Sequence, residues 1–77
     1  MSKYIIQSIL IPTTYSVNES VTWMKDHGYI VRKIHNTKEY HRFRQHTTDY
    51  AVNRGCLSVK TIPIGKKGIK MVVAYCN

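Results

Sequence analysis

From Lys3 to Ile11 the chain is rich in β-branched side chains and stops at Pro12, which is the pattern of a strand. Its second half is apolar at successive positions, so this strand is expected at the centre of its sheet. Ser16-Val17-Asn18-Glu19 then reads as a capping box. The Ser16 hydroxyl accepts from the Glu19 backbone N–H, and the Glu19 carboxylate accepts from the Ser16 N–H. A helix follows to about His27, with Val17, Val21 and Met24 on one stripe and Ser20 and Trp23 flanking it. Tyr15 and Val21 are spaced for a hydrophobic staple. Gly28 is the expected left-handed residue after the helix. His27 suits the negative end of the helix dipole.

Tyr29 to His35 predicts a second strand and Tyr40 to Gln45 a third, antiparallel to it across the turn His35 to Glu39. The alternation fails from Thr47 to Gly55, which reads as a loop with one helical turn around Asp49 to Val52. Leu57 to Ile64 is a fourth strand, and Pro63 marks it as an edge or a bulge. Gly65-Lys66-Lys67-Gly68 is a hairpin turn. Ile69 to Tyr75 is a fifth strand, with Ile69, Met71, Val73 and Tyr75 on one side and Lys70, Val72 and Ala74 on the other. The order β-α-β-β-β-β predicts one α+β domain over 1–77, a helix packed on a mainly antiparallel sheet of about five strands. The helix covers one face through residues such as Phe43 and Val21; the opposite face is left open or for a partner.

The third strand carries different chemistry on its two sides. Tyr40, Arg42 and Arg44 point one way, and His41, Phe43 and Gln45 the other. Twelve Lys and Arg against four Asp and Glu give a formal charge of +8 on 77 residues, a field that draws in polyanions. The basic side of the sheet is therefore the candidate binding surface. Arg42 and Arg44 share it, Lys60 and Lys70 are expected to join from the last two strands, and Arg32 or Lys33 from the second. Guanidinium forks hold phosphates bidentately, and Tyr40 offers a stacking surface for an unpaired base. Cross-strand pairing with Glu39 or Asp49, or plain solvation, is the competing account. Lys66 and Lys67 at the hairpin tip are in reach of a phosphate backbone, but the turn lacks the spacing of a phosphate-binding loop, and a plain solvated turn is the favoured account.

Other chemistry finds little support. The spacings of His27, His35, His41 and His46 match no zinc pattern, so no metal and no cofactor are expected. Glu19, Asp26, Glu39 and Asp49 are each accounted for by a cap, a helix, a turn or a loop, and no nucleophile motif is present, so an enzyme is not expected. Cys56 and Cys76 form no CxxC, and reduced thiols are the simplest account, with a bridge between them left open. No apolar run approaches the ~18 residues of a membrane span, and no signal-peptide pattern is present. Trp23, at the edge of the helix stripe, is a core-edge residue or a partner-binding anchor.

Tyr15, Ser16, Glu19, Trp23, Lys25, His27, Gly28 and Tyr29, followed by Tyr40, Arg42, Phe43, Arg44 and Gln45, make a helix ending in HGY and a strand reading YxRFRQ. This combination resembles a small domain of unassigned role in tailed-phage proteins and in short reading frames of large DNA viruses. The hairpin Ile64 to Lys70 matches more loosely, and Thr47-Thr48-Asp49-Tyr50 replaces the acidic-proline segment expected after RFRQ. The resemblance implies a viral or phage origin, an α+β domain and a binding module rather than an enzyme. It implies a place in the host cytoplasm or the virion. The expected partner is nucleic acid, DNA or RNA, with a viral or host protein, or a second copy, as the alternative; no membrane is expected.

Overall fold

The structure is a computed structural model that describes residues 3–76, without the side chain of Lys66. It contains β1 (Lys3–Pro12), α1 (Val17–Asp26), β2 (Ile34–Asn36), β3 (Tyr40–Arg44), α2 (Thr48–Asn53), β4 (Ser58–Pro63) and β5 (Lys70–Cys76), with one turn of 3-10 helix at Lys66–Gly68 before β5. The five strands form one antiparallel sheet in the order β2-β3-β1-β5-β4. β1 is central, as its apolar run predicts, and Pro63 ends an edge strand where its missing N–H breaks no ladder.

Ile6 and Ile9 lie three apart, and strict alternation would send them to opposite faces. The pairing of β1 with β5 shifts register between Ile6 and Ser8, leaving Gln7 as a bulge. Ile6 then sits opposite Val73, and Ile9 opposite both Met71 and Phe43, so one face collects them all. Ile9, Ile11, Met24, Phe43, Ile69, Met71 and Val73 form the main core under α1.

The capping box of α1 is complete. Glu19 N–H donates to Ser16 Oγ at 3.1 Å, and Ser16 N–H donates to Glu19 Oε1 at 2.9 Å. Gly28 takes φ 76° after the helix, a conformation that a Cβ would strain. Ser20 and Met24 are the helix residues fully buried against the sheet. Val17, expected on that stripe, is 40% exposed because it belongs to the first turn, outside the core cluster. Small Ser20 takes the contact position instead and donates its hydroxyl to the Ser16 carbonyl at 2.9 Å.

The sequence reading is corrected at several points. Tyr29 to His35 is not a strand; only Ile34–Asn36 pairs. The Gln45 side-chain amide takes the place of a neighbouring strand at Ile30. Its Nε2 donates to Ile30 O at 2.8 Å, and Ile30 N–H donates to its Oε1 at 2.9 Å. The helical turn expected around Asp49 to Val52 is present and extends to the six-residue helix Thr48–Asn53, so less of Thr47 to Gly55 is loop than expected. Thr47 caps it by accepting from Tyr50 N–H at 3.1 Å. This helix partly covers the second face of the sheet, which a single helix could not reach. Ala51, Cys56 and Ala74 make a small second core there, with Ile5 and Cys76 against it.

Cys56 and Cys76 are joined as a disulfide. Free thiols are therefore replaced by a covalent tie between the exit of α2 and the end of β5. The two cysteines are brought together because both line the second core, which is a tertiary fact invisible in their separation of 20 residues.

Reducing this bridge, or replacing both cysteines with serine, should lower stability by about 3 kcal/mol, the scale for closing a loop of this length. Urea unfolding with and without reductant would measure it. The Ser16 hydrogen bonds, backbone first and hydroxyl second, hold the Glu19 carboxyl below its ordinary value, with a smaller pull from Lys67. A lowered carboxyl stabilises the fold at pH values above its unfolded pKa and loses that contribution as pH falls through the folded value. Glu19→Gln should therefore flatten the acid side of the stability profile and leave its neutral limb parallel to the wild type.

Candidate nucleic-acid interface

All five strands are free of Asp and Glu. Glu19 and Asp26 lie in α1, Glu39 in the turn before β3 and Asp49 in α2. The cations on the sheet therefore face no carboxylate within it.

The register builds the surface row by row. His35 pairs with Arg42, Arg42 with Leu10, Leu10 with Lys70 and Lys70 with Pro63. In the next row Arg44 pairs with Ser8, Ser8 with Val72 and Val72 with Thr61. Tyr40 pairs with Pro12 at the opposite margin. Alternation puts these side chains on the face away from α1. Arg42 and Lys70, two strands apart, are separated by roughly 10 Å of backbone. Arg42 Nε donates to Ser8 Oγ at 3.4 Å and lies across that buried hydroxyl. The Lys70 ammonium stands 5.8 Å from the Tyr40 ring centroid.

Of the residues expected on this surface, Arg42, Arg44, Tyr40 and Lys70 are brought together. Lys60 is not. It pairs with Val73, on the same side as Ile62 and Met71, and its ammonium lies 5.8 Å from the Tyr75 ring centroid. The reason is parity: Ile62 must reach the core, and Lys60 is two residues from it on the same face. Its edge position lets the ammonium escape to solvent. Lys67 adopts φ 64° in the turn before β5 and adds a small downward pull on the Glu19 carboxyl. The Lys66 side chain lies outside the described part of the structure.

Arg32 and Lys33, though not in a strand, join His35, Arg44, His46 and Thr47 around a pocket of about 160 Å³ beside the β2–β3 edge. No carboxylate lines it. His46 stacks on Tyr50 with centroids 4.3 Å apart, and the Arg54 guanidinium lies 4.4 Å from the same ring. Tyr50 and Arg54 are spaced i, i+4 from within α2 to its C-cap, and His46 stands just before its N-cap. The spacing of four was legible in the sequence, but not that the helical turn extends far enough to align these side chains.

His41 is buried on the α1 side. Its Nε2–H donates to the Tyr15 carbonyl at 2.9 Å, and Nδ1 is 2.7 Å from Asn36 Oδ1. It ties the entry of α1 to the sheet. Among the described residues no group of three or more His, Cys, Asp or Glu stands close enough to hold a metal ion. No helix there is long and apolar enough to cross a membrane. Trp23 is half-buried against the main core, stacked on His27 at 4.0 Å and beside Tyr29 at 5.8 Å. Its outer side lines a shallow groove of about 440 Å³ with Tyr15, Glu19 and Asp26. Comparisons with protein-family models, curated proteins and solved structures find no match.

Gln45→Ala should leave the Ile30 N–H and C=O without partners and cost about 1–3 kcal/mol. Amide exchange at Ile30 should accelerate beyond the global change, which would separate loss of this clamp from general destabilisation.

Proposed function

We propose that the protein is a non-enzymatic viral or phage-type module that binds nucleic acid through one face of its sheet. Arg42, Arg44 and Lys70 contact phosphate, and Tyr40 stacks against an unpaired base or a sugar. The observation that carries this reading is the convergence of those four residues and His35 on a strand face without Asp or Glu. A flat face with a ring and guanidinium forks suits a single strand, whose bases are free to stack. Positive charge elsewhere on the chain adds to long-range attraction.

The resemblance to phage and large-virus domains supports the viral context. Within it, the Cys56–Cys76 bridge favours the virion over the host cytoplasm, because disulfides persist at virion surfaces and are rare in cytosol. A protein-binding or self-associating module is the second reading. Its support is the β4 edge, where Leu57 is 64% and Val59 55% exposed, an open template for strand pairing.

Fluorescence anisotropy with single- and double-stranded DNA and RNA across a salt series tests the first reading. Binding should weaken steeply with salt. Arg42→Glu with Arg44→Glu should abolish it at moderate salt, with the fold checked by circular dichroism. The milder pair Arg42→Gln and Arg44→Gln should reduce the single-strand salt slope by about 1.4, the loss of two phosphate contacts. A folded wild type that binds none of these at low salt would refute the proposal. Salt-insensitive self-association would favour the edge-strand reading.

A further inference from the structure

The open sheet face suits internal phosphates of a strand, but the pocket at its margin has a different shape. Arg32, Lys33, His35, Arg44, His46 and Thr47 surround a recess of about 160 Å³. This is roughly five times the ~30 Å³ share of one water molecule. A phosphoryl group with a few waters fits this volume. We propose that this pocket binds the terminal phosphate monoester of a nucleic-acid strand whose internal phosphates lie on the adjacent face. The proposal rests on the nucleic-acid reading and deepens it.

The chemistry of the lining favours a monoester over other anions. Two guanidinium forks and an ammonium converge on one volume, with two imidazoles beside them. A carboxylate offers two oxygens in one plane and a single charge. A phosphate monoester offers three terminal oxygens and approaches two charges, so more of these donors are satisfied at once. An internal diester has two free oxygens and a single charge, so it satisfies fewer of these donors. The Thr47 hydroxyl accepts from Tyr50 N–H and keeps its own proton to donate.

Hydrogen bonds and stacking within the chain hold the walls of the pocket. Gln45 is buried and fixes Ile30 by two hydrogen bonds, which sets the path of the chain toward Arg32 and Lys33. His46 N–H and Gln45 N–H both donate to the Gln7 carbonyl, at 3.2 and 2.7 Å, so the bulge in β1 anchors the opposite wall. The ring of His46 is braced on Tyr50. Arg44 belongs to the sheet face and the pocket alike, which joins the two surfaces into one track.

The test uses one single-stranded oligonucleotide in three forms: 5′-phosphorylated, 3′-phosphorylated and with both ends hydroxyl. Anisotropy is measured on the full chain and on Arg32→Gln with Lys33→Gln, whose side chains are exposed and outside regular structure. One phosphorylated end should bind about 10-fold tighter than the hydroxyl form, the scale of one charge-assisted hydrogen bond. The double variant should bring that ratio below about 2-fold while the hydroxyl form loses much less affinity. Equal affinity for the three forms, with binding retained, would overturn the terminal-phosphate proposal and leave the sheet-face reading standing. Binding of none would overturn both. Inorganic phosphate in a separate NMR titration should shift the amides of residues 32, 33, 46 and 47. Such shifts without any advantage for a phosphorylated end would mark a general anion pocket and also overturn the proposal.

Discussion

Ile6 and Ile9 sit three residues apart on the central strand, and both must reach the same core. The bulge at Gln7 resolves that conflict, and much of the molecule follows from it. Beyond the bulge, Ile9 and Ile11 face α1, while Ser8 and Leu10 face the other way, under Arg44, Arg42 and Lys70. The freed Gln7 carbonyl accepts from the backbone at Gln45 and His46, fixing where the chain leaves β3. Gln45 is thereby held where its side chain can grip Ile30. One extra residue in β1 thus sets the composition of the core, the polarity of the second face and the wall of a pocket.

Charge is partitioned by element type. The strands carry cations and no acids, and the acids stand on helices and in a turn. Packing alone does not demand this division, because an exposed sheet face gains from opposite charges across strands. Leaving Arg42, Arg44, His35 and Lys70 without carboxylate neighbours in the sheet keeps their donors available. Mutual repulsion among them is the cost, eased by the spread over three strands and by Arg42 lying across Ser8.

The second helix and the disulfide define how much of that face remains open. Ala51 packs against Ala74 and Ile5, and the Cys56–Cys76 bridge closes the same corner. A chain of 77 residues has little apolar surface to spare for a second core, and a covalent tie compensates for that shortage. Among the described residues no further element covers the remainder of the face, from Tyr40 to Thr61. The His46 ring and the Arg54 guanidinium both stack on Tyr50 of the second helix.

Local features were legible in the amino-acid sequence. The capping box at Ser16, the left-handed Gly28, the alternation in Tyr40 to Gln45, and the edge strand marked by Pro63 depend on neighbours a few residues away. Each appears in the structure. The sharing of one face by Arg42, Arg44 and Tyr40 followed from the same alternation. Lys60 went to the other face because its parity is tied to Ile62 and the register with β5. Tyr29 to Lys33 forms no strand, and at Ile30 a distant glutamine satisfies the backbone in place of one. The pairing of Cys56 with Cys76, and the pocket from Arg32, Lys33, Arg44 and His46, were decided only by tertiary structure. Backbone geometry propagates over a few residues and is written locally. Register, parity and the meeting of distant side chains are set by which apolar groups must share one core.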